Sequence, residues 1–259
     1  INPQVAVITN ITHEHLDYHR TYADYIAAKA KLFSRAKWGI LNRDDKYYSV
    51  LRAHIPKSVK LVSYGLSKNS IIKASQIKTD LAGSTFTVSW GRAKTPVKVG
   101  LSGRFNVANT LAALGAVGVL GVKLELAAKS LSGFTPVFGR LNNVSQKPDI
   151  YVDFAHTPNA LEQTLRLLKQ NLAPGGQLIS VFGATGERDK AKRPMMGKVS
   201  GRLANITIFT SDDNYREDVN QIIDHLVSGA KKTRAKEADS KSQITNHKSQ
   251  IIIRQPDRQ

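Results

Sequence analysis

Apolar positions along the chain alternate between a strand-like and a helix-like period, and the alternation divides it into elements. VAVIT at residues 5 to 9 is a short continuous apolar run, the mark of a buried strand. A stripe with steps of three and four predicts a helix over 22 to 34, and WGILN at 38 to 42 predicts a second strand. From about 60 to 101 the texture changes to short β segments. In STFTVSW, Phe86, Val88 and Trp90 alternate with Thr85, Thr87 and Ser89, as in a strand with one buried face. FNVANTLAALGAVGVL at 105 to 120 returns to helix. GFTPVFGR at 133 to 140, with two glycines and a proline, reads as a linker.

Beyond the linker the pattern restarts. DIYVDF at 149 to 154 predicts a strand, residues 158 to 172 a helix, and LISVFG a further strand. A helix near 194 to 204, the strand ITIFT and a last helix near 217 to 228 follow. Three strand–helix units predict a small, open, parallel sheet of Rossmann-like type. The whole is therefore α/β, with one domain over 1–135 and a second over 136–230. Residues 231–259 are polar and contain KSQI twice, at 241 and 248, which predicts a poorly ordered low-complexity tail.

Composition narrows the function classes. Hydrophobic content of 41% and charged content of 22% are ordinary for a globular chain of 259 residues. No apolar run reaches the roughly 18 residues a membrane-spanning helix needs, so no membrane insertion is expected. Cysteine is absent, which removes disulfides and thiolate metal sites and fits a reducing cytoplasm. Net charge is +18, from 38 basic and 20 acidic residues, and points toward an anionic partner. The basic residues are spread out, with no dense basic helix and no interleaved aromatic motif. A nucleic-acid partner is therefore not expected.

Candidate chemistry begins at ITNITHEHLDYHRT, residues 8 to 21, which holds His13, His15 and His19. It starts just past a strand's C-terminal end, where open α/β sheets place their ligands. The next helix carries Tyr22, Tyr25, Ile26, Leu32 and Phe33, and Lys29 falls within that stripe. Two readings stand side by side. Its stem can lie on the core while the ammonium reaches water. Alternatively, desolvation keeps the amine neutral, able to take up carbon dioxide as a carbamate that ligates Mg²⁺.

At this point several blocks are recognisable together. NITHEHLDYH followed by YIAAKAKLF, then GRFNVANTLAAL, VDFAHTPNAL, GATGERDKAKRP and DDNYRED, resemble blocks of the Mur ligases in the same order. Within that family they are most similar to the branch that adds the third residue of the peptidoglycan stem peptide. The resemblance covers about residues 1 to 228. It implies ATP-dependent amide formation through an acyl phosphate, with ATP and Mg²⁺ as cofactors. The implied substrates are the UDP-muramyl dipeptide and a diamino acid, and the protein is expected to be monomeric and cytoplasmic.

Residue by residue, the resemblance implies His15 as a Mg²⁺ ligand and Lys29 as the carbamylated lysine. His13 is incidental and His19 structural on this reading. Asn106 and Asn109, one helical turn apart, fall at the adenine, though capping explains such a pair equally well without the family match. Arg140, Asp153 (at the ribose) and His156 complete the expected nucleotide contacts. Thr157 before Pro158 fits a helix N-cap. Arg188 falls at the incoming amino acid's carboxylate. Asn214 and Arg216 lie on the Asp-Asn-Pro-Arg motif, whose arginine suits meso-diaminopimelate because guanidinium pairs with the distal carboxylate that lysine lacks.

Three departures qualify the match. GATGERDKAKR lacks the Gly-Lys-Ser/Thr ending of a phosphate loop, and the family's own P-loop and uridine-nucleotide domain are not among these 259 residues. Tyr215 replaces the motif's proline, and the closing Gly-His-Glu segment is not found. The expectation is a fragment that does not catalyse ligation alone. Rival readings are a cyanophycin- or folylpolyglutamate-type ligase of the same superfamily, and a degenerate basic module that binds nucleotide or nucleic acid.

Overall fold

A computed structural model describes residues 2–12, 21–238 and 250–257. The chain divides into two compact units, one reaching Asn142 and the other running on from Asn143. The division falls seven residues beyond the end of the domain expected at 135.

The first unit is built on a six-stranded sheet in sequence order: β1 (Val5–Ile8), β2 (Trp38–Asn42), β3 (Lys60–Gly65), β4 (Ile72–Asp80), β5 (Gly83–Trp90) and β6 (Ala93–Val99). β1 to β4 pair in parallel, whereas β4–β5 and β5–β6 are antiparallel. The connections explain the change. Helix α1 (Tyr22–Ala30) with a 3-10 turn (Lys31–Phe33) follows β1, and α2 (Tyr48–Ala53) follows β2, as parallel crossovers require; β4 to β6 are joined by short turns. The alternation expected in β5 is present: Phe86 and Val88 are buried against α3 (Arg104–Gly118) and α4 (Leu124–Leu131), while Thr85 is exposed.

The α1 stripe differs from its expected form. Tyr25, Ile26, Ala30 and Phe33 are buried, but Leu32 is exposed. Steps of four and three lead from Ile26 through Ala30 to Phe33, so Phe33 is buried as expected, whereas Leu32 falls off that row.

The second unit holds a parallel four-stranded sheet in the order β11-β12-β10-β9: β9 (Ile179–Phe182), β10 (Ile206–Thr210), β11 (Lys236–Glu237) and β12 (Ile251–Gln255). Helices α5 (Pro158–Gln170), α6 (Lys192–Leu203) and α7 (Val219–Ala230) pack around it. Two expectations change here. Residues 251–255, assigned to the polar tail, form a central strand in which Ile252 is fully buried, because three consecutive isoleucines pair with Ile206–Ile208. β8 (Asp149–Val152), expected in the main sheet, pairs instead with β7 (Asn142–Gln146), since the two-residue link Lys147–Pro148 turns one back on the other. The expected cap of α5 holds: Thr157 Oγ1 accepts from Ala160 N at 3.2 Å, with Pro158 at the first helical position.

α6 and α7 approach until backbone meets backbone. A Cβ on Gly197 would lie 1.8 Å from Leu226 O, and one on Gly229 would lie 1.8 Å from Pro194 O. These are reciprocal contacts that any side chain would force apart. Gly197→Ala and Gly229→Ala are each expected to destabilise the second unit by about 2–3 kcal/mol. Gly133→Ala, whose Cβ would meet nothing within 4 Å, is expected to stay within about 0.5 kcal/mol. Urea unfolding followed by circular dichroism checks the contrast, and a neutral Gly197→Ala would contradict this helix contact.

Candidate functional site

In the first unit, polar groups gather where β1, β2 and β3 end. The loop after β2 organises them. Asp45 Oδ2 accepts from Ile11 N at 2.8 Å, and Asn42 Nδ2 donates to Thr9 O at 3.0 Å, so the chain leaving β1 is tied to β2. Asp44 accepts from Leu66 N at 2.5 Å and Ser67 N at 3.2 Å, which ties the same loop to the end of β3. Tyr64 donates its hydroxyl to Thr9 O at 3.4 Å. Burial, with Asp45 and Asp44 beside it, pushes the Tyr64 phenol above its ordinary range and keeps it a donor. Tyr47 stacks on Tyr22 at the start of α1, with ring centroids 5.1 Å apart, and Lys46 Nζ lies 4.7 Å from the Tyr47 centroid. One short loop thus holds the segment before the histidine stretch and the residue that opens the following helix.

His13, His15 and His19 lie outside the described residues. Lys29 is exposed, with Nζ 5.3 Å from the Tyr25 ring centroid, which matches the reading of a stem on the core and a solvated ammonium. Among the described residues no group of three or more His, Asp or Glu side chains is placed to hold a metal ion. Of the two expected ligands only Lys29 is described, and His15 lies outside the described residues.

The asparagines of α3 do meet. Asn109 Nδ2 donates to Asn106 Oδ1 at 3.2 Å, and Asn106 Nδ2 donates back to Ser102 O at 2.8 Å. This pairing leaves the exposed Asn109 amide with an unspent acceptor and donor, the complement of an adenine edge. Arg140 is exposed in the first unit, its backbone N–H turned onto Val137 O.

In the second unit Asp153 follows β8 and accepts from Thr164 Oγ1 of α5 at 3.2 Å. His156 is exposed, with Nδ1 3.0 Å from Phe154 O and its ring edge-on to Phe154 at 4.9 Å.

The most constrained site lies at the C-terminal ends of the adjacent parallel strands β9 and β10. The loops that follow them, 183–191 and 211–218, carry Arg188 on one side and Asn214 and Arg216 on the other. They are stitched together. Gly186 N donates to Asp213 O at 2.8 Å, and a Cβ on Gly186 would sit 2.1 Å from Asn214 O. Glu217 accepts from Glu187 N at 3.1 Å, pairs with Lys190 Nζ at 3.1 Å, and receives both terminal nitrogens of Arg193, at 2.7 and 2.8 Å. Arg193 is fully buried and also donates to Thr185 O at 3.2 Å and to His225 Nδ1 at 3.3 Å. Hydrogen bonds from Arg193, then from Glu187 N–H and Lys190, hold the Glu217 carboxyl well below the usual carboxylate range against the opposing effect of burial.

Backbone strain marks the same rim. Glu187, next to Arg188, has φ of 51°, and Tyr215, between Asn214 and Arg216, has φ of 49°. Proline cannot adopt a positive φ, so this loop conformation excludes the motif's proline that Tyr215 replaces. Arg188 and Arg216 are exposed, and Asn214 Nδ2 donates to Glu217 O at 3.2 Å. Arg193 and Glu217 were not singled out from the sequence, although both stand in the quoted blocks. Only three-dimensional pairing separates them from the neighbouring basic and acidic residues.

Comparison with known proteins follows the same division. A family described as Mur ligase middle domain matches residues 1–117, and one described as Mur ligase, glutamate ligase domain matches residues 139–258. The chain is 39% identical over 245 residues to UDP-N-acetylmuramoyl-L-alanyl-D-glutamate–2,6-diaminopimelate ligase of Chromobacterium violaceum, covering 92% of this chain and 50% of the relative. It is 34% identical over 257 residues to a ligase of the same name, numbered 1, from Clostridium acetobutylicum, covering 95% and 52%. The chain thus spans about half the length of the curated relatives it matches. Among solved structures, a diaminopimelate ligase of that name matches with a TM-score of 0.60 at 30% identity, over 98% of this chain and 50% of the other. Folylpolyglutamate synthase of Mycobacterium tuberculosis complexed with ADP matches with a TM-score of 0.75 at 19% identity, over 90% and 53%, and shows the fold alone. With both family descriptions matched in order and such relatives aligned over nine-tenths of its residues, the chain belongs to the Mur ligase family.

Proposed function

We propose that this chain is the nucleotide- and amino-acid-handling part of an ATP-dependent ligase that joins meso-diaminopimelate to UDP-N-acetylmuramoyl-L-Ala-D-Glu in the cytoplasm. The observation that carries the reading is the stitched rim at the ends of β9 and β10, which presents Arg188, Asn214 and Arg216 together. The γ-phosphoryl of ATP passes to the dipeptide carboxylate, giving an acyl phosphate and ADP. The diamino acid's amine then attacks the carbonyl carbon, a proton leaves the nitrogen, and inorganic phosphate departs. Negative charge builds on oxygen in both steps, so preset cationic groups and positioning supply the rate.

Each residue then has a task. Asn106 and Asn109 read the adenine edge, with Arg140, Asp153 and His156 as further nucleotide contacts. Arg188 takes one carboxylate of the incoming amino acid. Arg216, with Asn214, takes the distal carboxylate, which a guanidinium can pair through two parallel hydrogen bonds. The resemblance implies that His15 and Lys29, as its carbamate, would hold Mg²⁺, which would neutralise charge on the transferring phosphoryl group.

Arg193 and Glu217 act through the loops. They touch no substrate on this reading; they fix where Arg188 and Arg216 stand.

In the protein that carries this chain, Arg216→Ala is expected to lower kcat/KM for meso-diaminopimelate about thirtyfold or more, on the order of 2 kcal/mol. Its effect on any incorporation of L-lysine, which has no distal carboxylate, should be small. Radiolabelled amino-acid incorporation measures both, and equal losses on the two amino acids would refute the assignment.

Glu217→Gln leaves a buried guanidinium without its counter-charge and is expected to cost about 3 kcal/mol at neutral pH. The sign of the pH dependence follows from the lowered folded pKa. The stabilisation is complete above the ordinary glutamate value of about 4.3 and is lost as pH falls below it. Urea midpoints should therefore converge for wild type and variant as pH drops from about 7 to about 3. Parallel curves would remove Glu217 from that role.

A further inference from the structure

Charge is distributed unevenly along the chain. Residues 1–142 hold 20 of the 38 basic and 7 of the 20 acidic residues, so +13 of the net +18 falls within them. Part of this excess is ordered on one surface. The inner face of β4–β5–β6 carries Ile72, Ala74, Phe86, Val88, Val97 and Val99 and is closed by α3 and α4. The outer face carries Lys73 and Lys78 on β4, Thr85, Thr87 and Ser89 on β5, and Lys94, Pro96 and Lys98 on β6.

Register fixes the pattern. Ser89 stands between Lys73 and Lys94, and Thr85 between Lys78 and Lys98, so the four lysines mark the corners of a rectangle. Two strand spacings make one side about 10 Å, and four residues of strand make the other about 14 Å. All four lysines are exposed, and none has an ion-pair partner among the described residues. The one nearby acid on the strands, Asp80, accepts from Ala82 N and Gly83 N in its own turn.

Protection of a sheet edge accounts for Lys94, Pro96 and Lys98 on the outermost strand. It does not account for Lys73, which is paired on both sides, with Gly65 of β3 and with Ser89 of β5. We propose that this lysine face docks on an anionic lipid surface, holding the protein at a membrane without inserting into it. Four flexible stems on three neighbouring strands can reach one plane together, absorbing the twist of the strands. A nucleic-acid duplex, being a cylinder, would meet one row at a time. The face also has no aromatic side chain for stacking and no arginine for bidentate phosphate or base contacts. Lysines beside an anionic bilayer each raise partitioning roughly fivefold, which gives weak, reversible, salt-sensitive attachment. The proposal is independent of the ligase reading.

The test uses the 259-residue chain and sedimentation with vesicles of phosphatidylglycerol and phosphatidylethanolamine, against vesicles of phosphatidylcholine. Binding is expected to the anionic vesicles alone. It should disappear between about 0.05 M and about 0.5 M salt, as the screening length falls from ~14 to ~4 Å. The combined variant K73Q, K78Q, K94Q and K98Q is expected to lose about a hundredfold or more in partitioning. A control with K57Q, K68Q, K123Q and K129Q makes the same change in net charge at exposed positions off this face, and should keep most of the binding. Thermal unfolding by circular dichroism establishes that both variants fold. No binding to anionic vesicles overturns the proposal, as does equal loss in the control. Tighter, four-lysine-dependent binding of random-sequence DNA or RNA than of vesicles overturns it in favour of nucleic acid.

Discussion

A guanidinium taken wholly out of water has to be matched, and the second unit is arranged around that requirement. Arg193 sits at the start of α6 with no exposed surface. Its match is Glu217, from the loop after the neighbouring strand, through two charge-assisted hydrogen bonds. The pairing is possible only because α6 and α7 touch through Gly197 and Gly229, and because Gly186 lets the two loops meet at backbone distance. His225 on α7 closes the cluster as an acceptor, since arginine can only donate. Helix packing, loop stitching and the charge pair are one mutually dependent arrangement. The exposed Arg188 and Arg216 take their positions from it.

The first unit solves a similar problem with weaker parts. There the loop after β2 uses two aspartates as acceptors for backbone N–H groups on both neighbouring strands, Ile11 on one side and Leu66 with Ser67 on the other. Adjacent carboxylates suit this task because each accepts several hydrogen bonds, whereas a neutral side chain has fewer lone pairs to offer. The Tyr22–Tyr47 stack then adds an apolar contact at the start of α1. Both units thus locate their chemistry-bearing loops at the C-terminal ends of parallel strands and secure them with carboxylates that serve the backbone.

Much of this was legible from residue pattern. The strands at 5–9, 38–42 and 84–90, the helix at 105–120 and the Thr157–Pro158 cap follow from local periods and caps, which depend on near neighbours alone. Reading failed where a distant partner decides. Ile251–Ile253 is too short a run, in too polar a setting, to declare a strand until Ile206–Ile208 pairs with it. DIYVDF looks like a sheet strand by composition, and its partner is set by the turn at Lys147–Pro148. Leu32, expected on the α1 stripe beside Phe33, is exposed because the row from Ile26 through Ala30 runs to Phe33 and misses it. Of the candidate site residues, Asn106 and Asn109 were readable as a pair because helical spacing alone joins them. The Arg193–Glu217 pair, 24 residues apart, has no such local mark.

Fold similarity and sequence similarity rank the relatives differently. The match to folylpolyglutamate synthase is higher in TM-score than the match to a diaminopimelate ligase, 0.75 against 0.60, yet lower in identity, 19% against 30%. A scaffold kept at so low an identity shows the fold alone, and what distinguishes its members is carried by side chains and loops. Position 215 shows how such a loop diverges. With φ at 49° it occupies a conformation closed to the proline of the related motif, and the direction in which Arg216 leaves the backbone is set by that angle. A single residue beside the arginine can therefore redirect the guanidinium while the buried clamp beneath stays unchanged. The exposed tip of the loop is thus free to vary in conformation, while its place on the fold depends on the buried Arg193–Glu217 pair beneath it.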